Sequence, residues 1–323
     1  MSSVFFGGGT PSMIAPEDFV RIVTALRETF DFESVEFTIE ANPDDVVTSM
    51  AGVWRDTGVN RVSLGVQSFD EETLHFLGRC HDSRTAVEAC QLIRKAFENW
   101  SIDLIFGANV PGVGEGATAA RFEHDLEQVL AFAPPHVSLY ALTVEPGTIF
   151  SVMPDPAVDD DLSLELYRMA RAALSGYENY EISNFATSGR RSTHNQLYWR
   201  NGEYFGFGPG AVSYVDGIRG RNHPSISKYL REPGAKSEIL TLSPSEIKIE
   251  TLIQHLRTAS GIEWDYYTGR FDADILADFG PILKSLEQRG LITIDSTGIR
   301  PTSEGFELND EIGLALVSTR LHD

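Results

Sequence analysis

Val4-Phe5-Phe6-Gly7-Gly8-Gly9-Thr10-Pro11-Ser12 is a short apolar run that stops in a glycine-rich turn. Phe19, Ile22, Val23, Leu26 and Phe30 follow at helical spacing, the pattern of one apolar helix face. The same unit repeats through the first half of the chain: residues 35–39, 61–66, 102–106 and 136–142 are further β-rich runs separated by helical patterns. Strand, helix, strand in this order implies parallel strands with right-handed crossovers. No GxGxxG fingerprint accompanies the strands, which argues against a dinucleotide-binding sheet. An α/β fold, a partial or whole (β/α) TIM-type barrel, is expected.

Polar and turn-forming residues gather where the strands end: Gly7 to Thr10, Glu40-Ala41-Asn42-Pro43, Gln67-Ser68, Gly107, and Thr143-Val144-Glu145-Pro146-Gly147. Barrels of this kind build their sites at the C-terminal strand ends. Three glycines allow close backbone approach and offer amide donors to a carboxylate or phosphate; the same residues also make an ordinary tight βα turn. Asp103 lies inside the apolar run Ser101-Ile102-Asp103-Leu104-Ile105-Phe106, where an unpaired carboxylate is costly. It must face a polar interior or meet a partner, and a structural bridge to Arg79 accounts for it as well as a ligand does.

The 323 residues, 42% hydrophobic, suffice for a sizeable core. No run approaches the roughly 18–20 apolar residues of a membrane span. Met1-Ser2-Ser3 leads into the first strand without a basic region, so a cytoplasmic location is expected. A formal net charge of -21, from 47 acidic against 26 basic residues, repels polyanions and makes nucleic acid an unexpected partner. Cys80 and Cys90 supply neither a disulfide framework nor a CxxC pair. Cys90 sits on the apolar side of a helical pattern and reads as core; Cys80, beside His81, reads as an unremarkable thiol.

After Pro154-Asp155-Pro156 the pattern changes to a helix over residues 160–174, then to an irregular Tyr-, Asn-, Gly- and His-rich stretch reaching about 231. Within it, His194-Asn195-Gln196-Leu197-Tyr198-Trp199 combines an imidazole, two amides and two large aromatics. A neutral imidazole can ligate haem iron, although a lone histidine is more often structural. From Ser243 come helices, then Gly290-Leu291-Ile292-Thr293-Ile294, a turn at Ser296-Thr297-Gly298 and a helix opening near Thr302. That order suggests a winged-helix-like α+β end. The expected division is a barrel over 1–150, an insert over 151–240 and the C-terminal domain over 241–323.

Seven phrases, in order, carry a resemblance over essentially the whole chain. They are Phe5-Phe6-Gly7-Gly8-Gly9-Thr10-Pro11-Ser12, Thr38-Ile39-Glu40-Ala41-Asn42-Pro43, Asn60-Arg61-Val62-Ser63-Leu64-Gly65-Val66-Gln67-Ser68-Phe69, residues 101–107, Val137-Ser138-Leu139-Tyr140-Ala141-Leu142-Thr143, Tyr180-Glu181-Ile182-Ser183-Asn184-Phe185-Ala186 and the 194–199 motif. The sequence resembles the HemW-type haem chaperones of the radical-SAM superfamily, relatives of oxygen-independent coproporphyrinogen III oxidase.

The resemblance implies a partial barrel of the radical-SAM kind that binds S-adenosylmethionine at its open rim. Gly7, Gly8, Gly9 and Thr10 would meet the methionyl end, and Glu40, Gln67, Arg79, Asp103 and Tyr140 the rest of the pocket. His194, in the HNxxYW motif, is the implied contact to haem iron. The implied task is to hold haem and deliver it to membrane respiratory proteins, through a transient membrane-associated partner and with a homodimer among the assemblies allowed. The family also carries a 4Fe-4S cluster on a CxxxCxxC motif, upstream of the point where this sequence starts. Cys80 and Cys90 cannot replace three closely spaced thiolates, so the chain as written is not expected to cleave S-adenosylmethionine. Gly107-Ala108-Asn109-Val110-Pro111-Gly112-Val113-Gly114 differs from the family's GLPGQT, and without a preceding strand Val4 to Phe6 would be an apolar edge, as in a truncated gene model or fragment. A radical-SAM oxidoreductase acting on a tetrapyrrole and a DNA-binding regulator using the winged-helix-like end are the alternative readings.

Overall fold

In the computed structural model, which describes residues 1–33 and 35–319, the apolar runs become β1 (Ser3–Phe6), β2 (Glu36–Ala41), β3 (Arg61–Gln67), β4 (Trp100–Phe106) and β5 (His136–Ala141). They pair in sequence order and in parallel. The crossovers carry α1 (Pro16–Thr29), α2 (Thr48–Asp56), α3 (Glu71–Phe76), α4 (Ser83–Ala96) and α5 (Glu115–Phe132). After α6 (Asp160–Ala173), the antiparallel strands β6 (Glu178–Glu181) and β7 (Asn184–Ala186) extend the sheet past β5, in the order β1-β2-β3-β4-β5-β7-β6. The sheet is a curled half-barrel, the partial barrel expected from the alternation.

Side-chain alternation gives the sheet its two faces. Phe37, Ile39, Val62, Leu64, Ile102, Leu104, Val137 and Leu139 are buried against the helices, where they meet Phe19, Trp54, Ile93 and Leu126. The residues between them are largely polar: Glu36, Thr38 and Glu40 on β2, Arg61 and Ser63 on β3, Ser101 and Asp103 on β4, and His136, Ser138 and Tyr140 on β5. One face therefore supplies the core and the other a polar hollow. Several helix starts are fixed by aspartate caps: Asp70, Asp82 and Asp159 accept from the amides of Thr73, Thr85 and Leu162. Such caps contribute about 0.5–2 kcal/mol each.

This first unit runs from Met1 to His194. The expected border at 150 falls inside it, between β5 and α6, because β6 and β7 still pair into the barrel sheet. The edge strand β1 is half-buried. Val4 and Phe6 pack on the core, and Phe5, on the other face, stacks on the His194 ring at 4.4 Å and 12°.

The second unit begins at Asn195, within the helix α7 (Thr193–Trp199). The stretch expected to be irregular is more regular than its composition suggests. It forms β8 (Val212–Val215), β9 (Ile218–Asn222), α8 (Ile226–Arg231) and β10 (Lys236–Thr241), with a sheet in the order β10-β9-β8. Then follow α9 (Pro244–His255), β11 (Ile262–Glu263), α10 (Trp264–Phe271), α11 (Ile275–Gln288), β12 (Ile292–Ile294), β13 (Gly298–Pro301), α12 (Ser303–Glu307) and α13 (Asn309–Val317). Leu252, Tyr267, Phe279, Leu283 and Ile299 form their own core beneath the sheet β11-β13-β12, a winged-helix-like arrangement. Ser243 opens α9 with a full capping box to Glu246. Among the described residues, no helix is long and apolar enough to cross a membrane.

Candidate functional site

A cavity of about 370 Å³ opens at the C-terminal ends of β2 to β5, within the roughly 300–1,000 Å³ typical of small-molecule sites. Gly9, Thr10, Glu40, Gln67, Arg79, Asp103 and Tyr140 line it, together with Ser12, Asn42, Ser63, Gly65 and Ile105. Seven of the ten residues expected at a ligand site therefore converge. Gly7, Gly8 and His194 do not line it.

The glycine turn is shaped around Glu40. A Cβ at Gly7 would lie 2.3 Å from the Phe5 ring and 2.9 Å from the Glu40 carboxyl carbon. Gly8 and Gly9 adopt positive φ, 73° and 69°, which glycine takes without the penalty of a side chain. The Gly8 amide donates to Glu40 Oε2 at 3.1 Å. That amide is thus spent on the protein's own carboxylate, and the turn holds Glu40 over the cavity in place of offering all three amides to a ligand. Burial raises the Glu40 pKa; the Gly8 amide opposes this, and the neighbouring Asp103 charge adds to it.

Asp103 sits in a nest of hydroxyls: Ser63 Oγ at 2.7 Å, Ser101 Oγ at 2.9 Å, and the Ser138 side chain. The charge acting on it is that of Arg61, and serines on its own and the flanking strands take the place of the alternative bridge to Arg79. Burial raises its pKa, and the three serines and Arg61 pull the other way. Much of the Tyr140 ring is exposed, yet its hydroxyl end lies deep. Burial first, then the charge of Asp103, pushes that phenol up. Burial lowers the Arg79 pKa. Two carboxylates and one guanidinium around a hollow suit a zwitterionic or cationic small molecule.

Gln67 ends β3 with φ of 69°, a conformation that costs a non-glycine residue about 1–3 kcal/mol and clusters at functional sites. Gly65 makes room for it, since a Cβ there would lie 2.7 Å from Gln67 Nε2. The turn is clamped from behind: Asp125 on α5 accepts from Ser68 Oγ at 2.8 Å and from the Phe69 amide at 2.6 Å. Burial raises the Asp125 pKa to about 7, against those two hydrogen bonds. Motif reading missed Asp125 because it lies on a helix, far away in sequence.

His194 stands at the other end of the same strands. Its Nδ1 is 3.1 Å from the hydroxyl of Ser3, the first residue of β1. The amides of Thr193 and His194 both donate to the Glu36 carboxylate at 2.9 Å, and Glu36 is the first residue of β2. Glu40 lies four positions beyond Glu36, about 13 Å along a strand. Burial lowers the His194 pKa to about 4, against the opposing charge of Glu36, so the ring is neutral at neutral pH. Beside it, Arg61, His136 and Tyr180 form a buried chain: Arg61 Nη2 is 3.4 Å from His136 Nδ1, and His136 Nε2 is 2.8 Å from the Tyr180 hydroxyl. Burial, then Arg61, holds His136 well below its usual pKa. Polar residues at alternate positions of apolar strands, Arg61-Ser63 and His136-Ser138, were the signal for this lining.

The remaining singled-out residues lie outside the cavity. His81 is buried, with Nε2 3.0 Å from the Val66 carbonyl. Cys90 is fully buried on α4, and burial pushes its thiol up to about 12; Cys80 is exposed.

Comparison with known proteins gives a consistent neighbourhood. Residues 1–115 match the radical SAM superfamily model, and residues 242–308 match the HemN C-terminal domain. The chain is 34% identical over 324 residues to the heme chaperone HemW of Lactococcus lactis, covering 97% of this chain and 83% of that one. It is 30% identical to the heme chaperone HemW of Bacillus subtilis, with 97% and 84% covered. It is 33% identical to the mitochondrial radical S-adenosyl methionine domain-containing protein 1 of Bos taurus, with 98% and 76% covered. Among solved structures, coproporphyrinogen III oxidase (HemN) of Escherichia coli superposes with a TM-score of 0.82 at 22% identity, covering 98% of this chain and 78% of that one. This last likeness concerns the fold.

The donor chemistry separates the two cofactors implied by such relatives. An iron–sulfur cluster is held by closely spaced thiolates. This chain has one exposed and one core cysteine, and among the described residues no group of three His, Cys, Asp or Glu side chains could hold a metal ion. These residues do not fit a cluster. S-adenosylmethionine, with a sulfonium, an α-amino acid end and a ribose, does fit a cavity lined by Glu40, Asp103, Gln67 and Arg79.

Proposed function

Because the chain belongs to the HemW family of radical-SAM proteins, we propose that it is a haem chaperone: it holds haem and hands it to a respiratory acceptor protein. The observation that carries this reading is identity of 30% or more to two heme chaperones over 97% of the chain. His194 supports it. The ring is neutral at neutral pH, the state in which imidazole ligates iron. Ser3 engages Nδ1, in the way outer-shell partners fix the tautomer of a ligating histidine.

In the same reading the cavity at the strand ends holds S-adenosylmethionine. Glu40 and Gln67 would take its polar hydrogens, Arg79 its carboxylate, and Gly9 and Thr10 would meet the methionyl end. When bound to a cluster, that cofactor supplies a carbon radical; this chain's own residues bind and orient it only. Two unpaired thiols suit the reducing cytoplasm. The test is a hemin titration followed in the Soret region. Saturable binding by the wild type, weakened about tenfold or more by His194→Ala at unchanged circular dichroism, is expected for loss of an iron ligand. Absence of saturable binding by a folded wild-type chain rules the reading out.

A further inference from the structure

Gln67 reaches the cavity from a backbone forced out of ordinary strand geometry. Between Leu64 and Gln67 the chain takes three steps while its neighbour β4 takes two, from Ile102 to Leu104, a bulge of the kind that re-aims a side chain beside a site. Gln67 itself has φ of 69°. Its carboxamide folds over Gly65, where a Cβ would lie 2.7 Å from Gln67 Nε2 and 3.5 Å from Asn42 Oδ1. A non-glycine residue at positive φ persists only where its surroundings over-determine it, so other groups must hold this turn.

The holding contacts come from two sides. On one, His81 Nε2 lies 3.0 Å from the Val66 carbonyl; a carbonyl only accepts, so the ring donates from that nitrogen. On the other, Asp125 of α5 engages the two residues that follow Gln67. Its Oδ2 accepts from Ser68 Oγ at 2.8 Å and its Oδ1 from the Phe69 amide at 2.6 Å. The Ser68 hydroxyl accepts in turn from the Asp70 amide at 3.0 Å. Ser68, Phe69 and Asp125 are all buried, and both carboxylate oxygens are spent on the turn. Asp125 is the charged member of the buried face of α5, beside Phe122, Leu126 and Val129. Packing that helix calls for no carboxylate there, and burying one is costly.

We propose that Asp125 is a positioning residue of the cavity: through Ser68 and Phe69 its carboxylate fixes the turn that aims Gln67, and so sets the affinity for the molecule bound there. This rests on the S-adenosylmethionine reading and deepens it by naming a residue that acts without lining the cavity.

The clamp is sensitive to pH. Burial raises the Asp125 pKa to about 7, against the bonds from Phe69 and Ser68, and the charge of Asp70 adds to the rise. Asp70 meets Arg121 at 3.3 Å, and Arg121 also pairs with Glu72. From α4 and α6, which pack on α5, no charge among the described residues adds to it. Above about pH 7 the ionised carboxylate makes charge-assisted bonds, roughly twice as strong as neutral ones. Below that pH the protonated group holds the turn less firmly, so affinity rises with pH through the window.

The test is isothermal titration of S-adenosylmethionine into the full chain at about pH 6 and about pH 8, either side of the Asp125 pKa, with folding checked by circular dichroism. Wild-type affinity is expected to be about threefold to tenfold higher at the upper pH. Asp125→Asn, which keeps the shape and cannot ionise, is expected to bind at both pH values as weakly as the wild type does at the lower one. Ser68→Ala, a smaller change that keeps the carboxylate, is expected to weaken binding about threefold at the upper pH, and it decides the matter should Asp125→Asn fail to fold. A folded Asp125→Asn that binds like the wild type at the upper pH overturns the assignment, as does unaltered binding by Ser68→Ala. Wild-type pH dependence retained in Asp125→Asn also overturns it and returns that dependence to His81 or to the ligand's own amine. In these three cases the S-adenosylmethionine reading stands. No binding of S-adenosylmethionine by the folded wild type overturns both.

Discussion

The two ends of one sheet are put to different uses. At the C-terminal ends of β2 to β5, Glu40, Gln67, Asp103 and Tyr140 surround a hollow. At the N-terminal ends of β1 and β2, Ser3, Phe5 and Glu36 close on His194 and on the amides that start α7. The difference lies in what satisfies the polar groups. At the open end, glycine and strained backbone hold side chains outward over space; at the closed end, backbone amides and a stacked ring consume them. A parallel sheet imposes this asymmetry, because its βα loops and helix starts gather at the strand C-termini.

The comparison breaks most readily through the two glutamates of β2. Glu36→Ala is expected to cost about 2–3 kcal/mol of stability, since it leaves the amides of Thr193 and His194 without their acceptor; urea unfolding measures it. Glu40→Ala is expected to cost less than about 1 kcal/mol of stability but to weaken S-adenosylmethionine about tenfold or more by isothermal titration. If the two variants behave alike, the distinction between the ends fails. His194→Ala removes the stack on Phe5 and is expected to cost about 0.5–1.5 kcal/mol.

The same substitution has a pH signature. The folded ring, with a pKa lowered to about 4, binds fewer protons than the unfolded one between pH 4 and 6.5. Wild-type stability from this group is therefore present above about 6.5 and lost as pH falls toward 4. The difference between wild-type and His194→Ala unfolding curves is expected to shrink over that window, and a difference that is flat with pH would refute the burial of the ring. Smallest of all, Cys80→Ser is expected to change stability by less than about 0.5 kcal/mol and to leave both ligands unaffected, because an exposed thiol takes no part at either end.

Much of the barrel was legible because its signals are local. The strand runs, the glycine turn and the charge at Asp103 each announce themselves within ten residues, and the structure brings Glu40, Gln67 and Asp103 to one cavity, together with Arg79 and Tyr140, which the resemblance implied. What escaped reading depends on contacts distant in sequence. The clamp of Asp125 on Ser68 and Phe69 spans 57 and 56 positions, and the seat of His194 on Ser3 spans 191. The strands β6 and β7 were hidden in a stretch rich in Asn and Tyr, where pairing with β5 overrides weak strand propensity.

The most direct test of the account is a crossed titration of S-adenosylmethionine and hemin into wild type, Glu40→Ala and His194→Ala. The account predicts that Glu40→Ala loses S-adenosylmethionine and keeps hemin, and that His194→Ala does the reverse. Loss of both ligands from either folded variant, or S-adenosylmethionine binding untouched by Glu40→Ala, would contradict a sheet with one end for each.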